Sequence, residues 1–148
     1  MHKLWALDAY EISELFRTKE VSAIEICNQI IQHIENINPK LNAIVAKTFD
    51  DALETAEKLD KKLKNGEHLG TLAGVPITIK ENADQKGFAT TNGVRIQKDL
   101  IATKDSPVVE NLKKSDAIIV GRTNTPPFCI HWFTRNSLHG HTLNPHNN

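Results

Sequence analysis

Lys80 closes the run Ile77-Thr78-Ile79. A lysine delivered by a short apolar stretch is a candidate base, because scarcity of water disfavours its charged form. For any lysine to take a proton near neutral pH, its pKa must come down from roughly 10.4 to about 7. That costs about 4 kcal/mol, which burial or neighbouring positive charge has to supply. A lysine so neutralised accepts the proton of a serine hydroxyl and makes the oxygen nucleophilic. The plainer reading is a strand-end lysine with its head in water, since lysine is rarely fully buried. The serines of the chain, Ser13, Ser22, Ser106, Ser115 and Ser137, read as caps, turns or surface.

Other residues that could do chemistry point less clearly. His131, His139, His141 and His146 crowd the C-terminal segment, but their spacing matches no zinc pattern. They read as solvated loop histidines, and no metal is expected. Gly66, Gly70 and Gly74 make neither a GxGxxG turn nor a P-loop, so no cofactor is expected either. Trp132 and Phe133 adjoin without a basic surround, which favours a core or pocket wall over a stacking platform for nucleic acid. Cys27 and Cys129 lie far apart with no CxxC spacing and read as small apolar packing residues in a reducing compartment.

The elements that must position these groups are signalled locally. Asp8 with Glu11, and Ser22 with Glu25, have capping-box spacing and predict two helix starts. The second helix carries Ile24, Cys27, Ile30, Ile31, Ile34 and Ile37 on one face, and Asn38-Pro39 is expected to end it. A strand is predicted over 41–46. A third helix follows, with Ala52, Ala56, Leu59 and Leu63 on its inner side and Asn65-Gly66 as its stop. Ser106-Pro107 opens a fourth helix. Ile77-Thr78-Ile79 is a candidate strand, and Ala117-Ile118-Ile119-Val120-Gly121 reads as a strand buried on both faces. The fold class is therefore α/β, a mixed or largely parallel sheet flanked by helices. No regular element is expected from Thr123 onward.

A chain of 148 residues with 39% hydrophobic and 24% charged residues has room for one domain, or part of one. Residues 1–68 read as mainly helical and 69–148 as a sheet-forming segment with a long loop tail. Lys+Arg and Asp+Glu are both 18, so no charge excess draws the chain to nucleic acid or an anionic membrane. The first residues reach a charge too early for a secretory signal, and no run is long enough to span a bilayer, so a cytoplasmic protein is expected.

Four segments occur in a telling order: Gly74-Val75-Pro76-Ile77-Thr78-Ile79-Lys80-Glu81-Asn82, Gly87 with Thr90-Thr91-Asn92-Gly93, Asp105-Ser106-Pro107-Val108-Val109, and Gly121-Arg122-Thr123-Asn124-Thr125-Pro126. Together they resemble the N-terminal part of the amidase signature family. Trp132-Phe133-Thr134-Arg135-Asn136, Leu138-His139-Gly140 and Thr142-Leu143-Asn144-Pro145 extend the likeness, which is clear from about Leu69 onward. The resemblance implies an incomplete amidase-signature fold and gives Lys80 a catalytic role. In that family the matching lysine works with two serines, one of them in a cis peptide, to hydrolyse carboxamides through an acyl-enzyme without a metal. Both serines follow the Asn-Pro segment, in a Gly/Ser-rich stretch this sequence does not contain, as do the N–H groups that would hold the oxyanion.

The expectation is thus a truncated amidase, inactive alone, whose substrate when completed would be a small-molecule amide. The alternative is a non-catalytic remnant or interaction fragment that self-associates or needs a complementing C-terminal partner. The segment Trp132–Asn136 resembles general amidases more than the transamidase component that works on misacylated transfer RNA. Two departures stand out. Glu81 replaces the usual aspartate, and Ser115-Asp116-Ala117 replaces a segment that usually offers glycine. A left-handed backbone at Asp116 would strain that turn by about 1 kcal/mol.

Overall fold

The computed structural model describes residues 3–146. Helix α1 spans Ala9–Arg17, α2 Ala23–Leu41, α3 Phe49–Lys64 and α4 Pro107–Lys114. Strands β1 (Ile44–Lys47), β2 (Pro76–Lys80) and β3 (Ile118–Thr123) form a sheet of order β1-β3-β2. β1 runs antiparallel to β3, with a register shift between Ile44 and Ala46. The Ile118 N–H donates to the Val75 carbonyl and the Glu81 N–H to that of Thr123, so β2 and β3 ascend together and the sheet is mixed. A short hairpin of β4 (Arg135–Asn136) and β5 (Gly140–His141) lies in the tail where no regular element was expected. Two residues per strand are too few for hydrophobic alternation to reveal.

The chain divides into two compact units. The first comprises Met1–Asn36, Thr48–Ile77 and Asn111–Val120. Its interior is apolar, with Leu4, Phe16, Ile26, Cys27 and Ile118 fully buried. Asp8 and Glu11 form the reciprocal capping box at the start of α1. At α2, Ser22 accepts from the Glu25 N–H at 3.1 Å, while the Asp60 carboxylate on α3 takes the N–H groups of Ala23 and Ile24. Gly66 ends α3 in a left-handed conformation at φ 70°.

Asp116 does adopt the strained conformation, at φ 63°. Its carboxylate accepts from the Gly70 N–H and from Lys62 Nζ, both at 2.7 Å. The turn into β3 therefore gains a charge-assisted tether that glycine could not provide, offsetting the conformational cost. Gly70 has no room for a side chain, since a Cβ there would lie 2.4 Å from the Ser115 carbonyl carbon.

The second unit comprises Ile37–Lys47, Thr78–Glu110 and Gly121–Asn148. Within it α2 runs past its expected stop, with Pro39 inside the last turn. Proline there forgoes one backbone bond, and the neighbouring Asn38 offsets the loss by accepting from the Ala43 and Ile44 N–H groups and donating to the Ile44 carbonyl. The helix ends instead at Asn42, left-handed at φ 54°, whose N–H bonds the Asn38 carbonyl.

Candidate active site

Lys80 is the last residue of β2, and it is exposed. Of the two readings open from sequence, burial among apolar neighbours or a strand-end lysine with its head in water, the second is the one observed. Successive side chains of a strand point to opposite faces, so a buried Ile79 places Lys80 on the open face with Thr78. Its ammonium group makes no hydrogen bond or ion pair among the described residues, while its carbonyl accepts from the Ala83 N–H and starts the following turn.

Glu81, the next residue, points inward and is 3% exposed. Its Oε1 lies 2.9 Å from His139 Nε2, and its Oε2 is buried without a hydrogen-bond partner. The longer carboxylate thus reaches a histidine on the turn between β4 and β5. Behind it sits Arg122, 1% exposed. The guanidinium donates to Gln85 Oε1 and to the carbonyls of Ala83 and Ala89, and lies over the Phe88 ring. Burial lowers the Arg122 pKa from its usual range, and the Glu81 and Asp84 carboxylates oppose that pull. A buried guanidinium holding three acceptors fixes the loop that follows Lys80.

Asparagines complete the arrangement. Asn136 Nδ2 donates to Asn124 Oδ1 and the Thr125 carbonyl, and its Oδ1 accepts from the N–H groups of Leu138 and His139. Asn124 Nδ2 donates to Thr142 Oγ1, and Asn42 Nδ2 to the carbonyls of His139 and His141. Gly93 packs so closely that a Cβ would lie 2.8 Å from the Thr125 carbonyl oxygen. Members of the segments singled out in sequence, Glu81 of 74–82, Arg122 and Asn124 of 121–126, and Asn136, His139 and Thr142 of the closing stretches, are therefore brought together in one polar network.

The remaining candidates do other things. Ser13 accepts from Arg17 Nε, Ser22 caps α2, Ser115 Oγ donates to the Asn111 carbonyl, and the Ser137 carbonyl accepts from Arg95. Ser106 Oγ is buried without a partner at the start of α4. His131, His141 and His146 are exposed, and among the described residues no three His, Cys, Asp or Glu side chains are grouped to hold a metal. Cys27 is buried, which pushes its thiol up to about 11. Cys129 is exposed, contrary to the expected packing role, with Sγ 3.0 Å from Thr125 Oγ1. Trp132 and Phe133 are exposed too and line an open cavity, so they are not core. No helix among the described residues is long and apolar enough to cross a membrane.

Sequence reasoning did not assign Arg122, the Glu81–His139 pair or the asparagine network. The available signal was a single arginine directly after the buried run 117–121, where an unpaired charge is costly and so implies partners.

The amidase family model matches residues 25–148. The chain is 46% identical over 142 residues to indoleacetamide hydrolase of Bradyrhizobium diazoefficiens, covering 96% of this chain and 27% of that protein. It is 42% identical over 144 residues to a glutamyl-tRNA(Gln) amidotransferase subunit of Fusobacterium nucleatum subsp. nucleatum, covering 97% and 30%. A solved bacterial aryl acylamidase of the amidase signature family superposes with a TM-score of 0.91 at 35% identity, over 95% of this chain and 30% of its own. The chain thus spans under a third of the length of each. With the family model matching most of its length and the fold shared with a solved member, the chain belongs to the amidase signature family.

Proposed function

We propose that this chain is the N-terminal portion of a single amidase domain and supplies the lysine of a Ser-Ser-Lys site that hydrolyses small carboxamides. Lys80 would take a proton, relayed through one serine hydroxyl, from a second serine whose oxygen attacks the amide carbon. The C–N bond then breaks, the proton leaves with the amine, and water releases the acyl group. Both serines come from polypeptide this sequence does not contain, and residues 1–148 alone are inactive. The observation that carries the reading is the placement of Lys80, at the end of a strand whose following loop is clamped by Arg122 and Glu81 while its own side chain stays open. A lysine acts as a base only when neutral, a state favoured by excluding water, and the open face of Lys80 is where a serine-bearing surface would exclude it.

The relatives include both a hydrolase and an amidotransferase subunit, and hydrolysis is favoured here by the segment Trp132–Asn136. A cytoplasmic setting is part of the reading, consistent with two free cysteines. The test is to co-produce the chain with the later two-thirds of the Bradyrhizobium relative and follow ammonia release from indoleacetamide. Turnover is expected only from the pair, and Lys80→Ala should reduce it by about a thousandfold or more. Undiminished turnover in that variant overturns the role of Lys80. Ammonia transfer to glutamyl-tRNA without free hydrolysis would favour the transamidase instead.

A further inference from the structure

We infer that Asn65 is a site of spontaneous modification, where its side-chain amide is converted to a carboxylate through a cyclic imide formed with Gly66. The chain holds the pair Asn-Gly twice, at 65–66 and at 92–93. Glycine gives the pair its chemistry, because without a Cβ the amide nitrogen that follows the asparagine is unshielded. The fold leaves one pair open and closes the other.

Asn65 and Gly66 are both exposed, and a Cβ built on Gly66 would meet nothing within 4 Å. Asn65 is the C-cap of α3, at φ −79° and ψ −5°, and Gly66 follows at φ 70°. For the Gly66 nitrogen to reach Asn65 Cγ, the peptide between them must swing about the Cα–C bond of Asn65. The bonds in its way belong to a helix end. The Gly66 N–H donates to the Leu63 carbonyl at 3.3 Å and the Glu67 N–H to that of Lys62 at 3.0 Å. Bonds in the last turn of a helix open at small cost. The Asn65 amide itself donates only to the exposed Glu67 carboxylate, at 3.0 Å, a weak hold in water.

The second pair has none of this freedom. Gly93 is buried, and its N–H donates to Thr91 Oγ1 at 3.1 Å. The Asn92 carbonyl accepts from the Phe128 N–H at 2.9 Å, and Asn92 Nδ2 donates to Gln97 Oε1. Turning that peptide would break bonds on both sides and drive it against the Thr125 carbonyl oxygen, which lies 2.8 Å from the space a Cβ would fill.

At the open pair the Gly66 nitrogen loses its proton and bonds to Asn65 Cγ, and the Cγ–Nδ2 bond breaks, so the nitrogen leaves as ammonia. Water then opens the ring at one carbonyl to give aspartate, or at the other to give isoaspartate. Nothing is oxidised, and water is the only co-reactant. Either product puts a full negative charge at the end of α3, where the helix carbonyls already concentrate negative potential. Isoaspartate also adds a backbone carbon between Lys62 and Glu67 and takes their cap bond out of register.

The experiment incubates the whole 148-residue chain for several weeks at neutral pH, with and without urea, and maps its peptides by mass spectrometry. In the folded chain the peptide holding Asn65 should gain about 1 Da at least about tenfold faster than that holding Asn92. Isoaspartate at position 65, read by enzymatic methylation, should accompany the gain. In urea the two peptides should convert at rates within about threefold of each other, since the protection of Asn92 is lost with the fold. Gly66→Ala, for which the structure has room, should slow the reaction at Asn65 about tenfold by shielding the nitrogen. Equal rates in the folded chain, or faster conversion at Asn92, would overturn the inference. So would aspartate formed without isoaspartate, a Gly66→Ala variant that reacts at the parent's rate, or a tenfold difference that persists in urea.

Discussion

Among the described residues, the buried polar side chains of the first unit are Ser13 and Thr48, whereas the second unit buries Glu81, Gln85, Thr90, Thr91, Arg122, Asn124 and Thr125. Apolar burial is divided the other way. Of the described residues, only Ile79 and Val109 among the buried hydrophobic ones belong to the second unit. One unit is held by the non-directional removal of apolar surface from water, the other by directional bonds that each need a partner in place. An apolar interior tolerates exchanges that keep volume, while a satisfied polar network loses most when one member goes. The unit that carries Lys80 is therefore the less forgiving of sequence change, as a framework that must fix geometry has to be.

The comparison is broken most directly by paired substitutions. Arg122→Met should destabilise the chain by about 3–5 kcal/mol, since it strands the acceptors of Ala83, Gln85 and Ala89 and leaves Glu81 without its nearby cation. Ile26→Leu, in the apolar unit, should cost less than about 1.5 kcal/mol. Urea denaturation measures both, and equal costs would erase the distinction drawn between the units.

A smaller effect is expected from the buried thiol of the first unit. Below the ordinary thiol value of 9.0, Cys27 is protonated whether the chain is folded or not, so its contribution is fully present. As pH rises from there towards about 11, the unfolded chain gives up a proton that the folded chain retains, and stability falls. The loss should reach about 2 kcal/mol and be missing in Cys27→Ala, as read from guanidinium unfolding at a series of alkaline pH values. Parallel pH dependence in parent and variant would show that this thiol is not held neutral by its surroundings.

The smallest effect sharpens the picture of the second unit. Glu81→Gln, His139→Phe and the double variant form a thermodynamic cycle across the 2.9 Å contact. A coupling of about 1 kcal/mol is expected. Additive losses would mean that the two side chains meet without depending on each other.

What could be read from sequence follows from the range of each interaction. The Asp8–Glu11 box, the Gly66 stop and the proline opening of α4 act within a turn of the chain, and all are present. The left-handed turn at Asp116 was legible as a departure from a family pattern, though its remedy, Lys62, lies 54 residues away. The cap that Asp60 gives α2, the contact of Glu81 with His139 and the clamp of Arg122 on the 83–89 loop are likewise long-range, and no local pattern encodes them. The role of Lys80 was legible only through resemblance. Its exposure, the plainer of the two readings open from sequence, accords with strand alternation, because a lysine adjacent to an inward Ile79 must face the other way.

Gly93 has a consequence for heredity. Every single-nucleotide missense change at a glycine codon introduces a β-carbon, and here that atom would be driven against the Thr125 carbonyl oxygen from a backbone at φ 69°. Any replacement at position 93, whatever its size or charge, must therefore displace that carbonyl oxygen before the chain can fold.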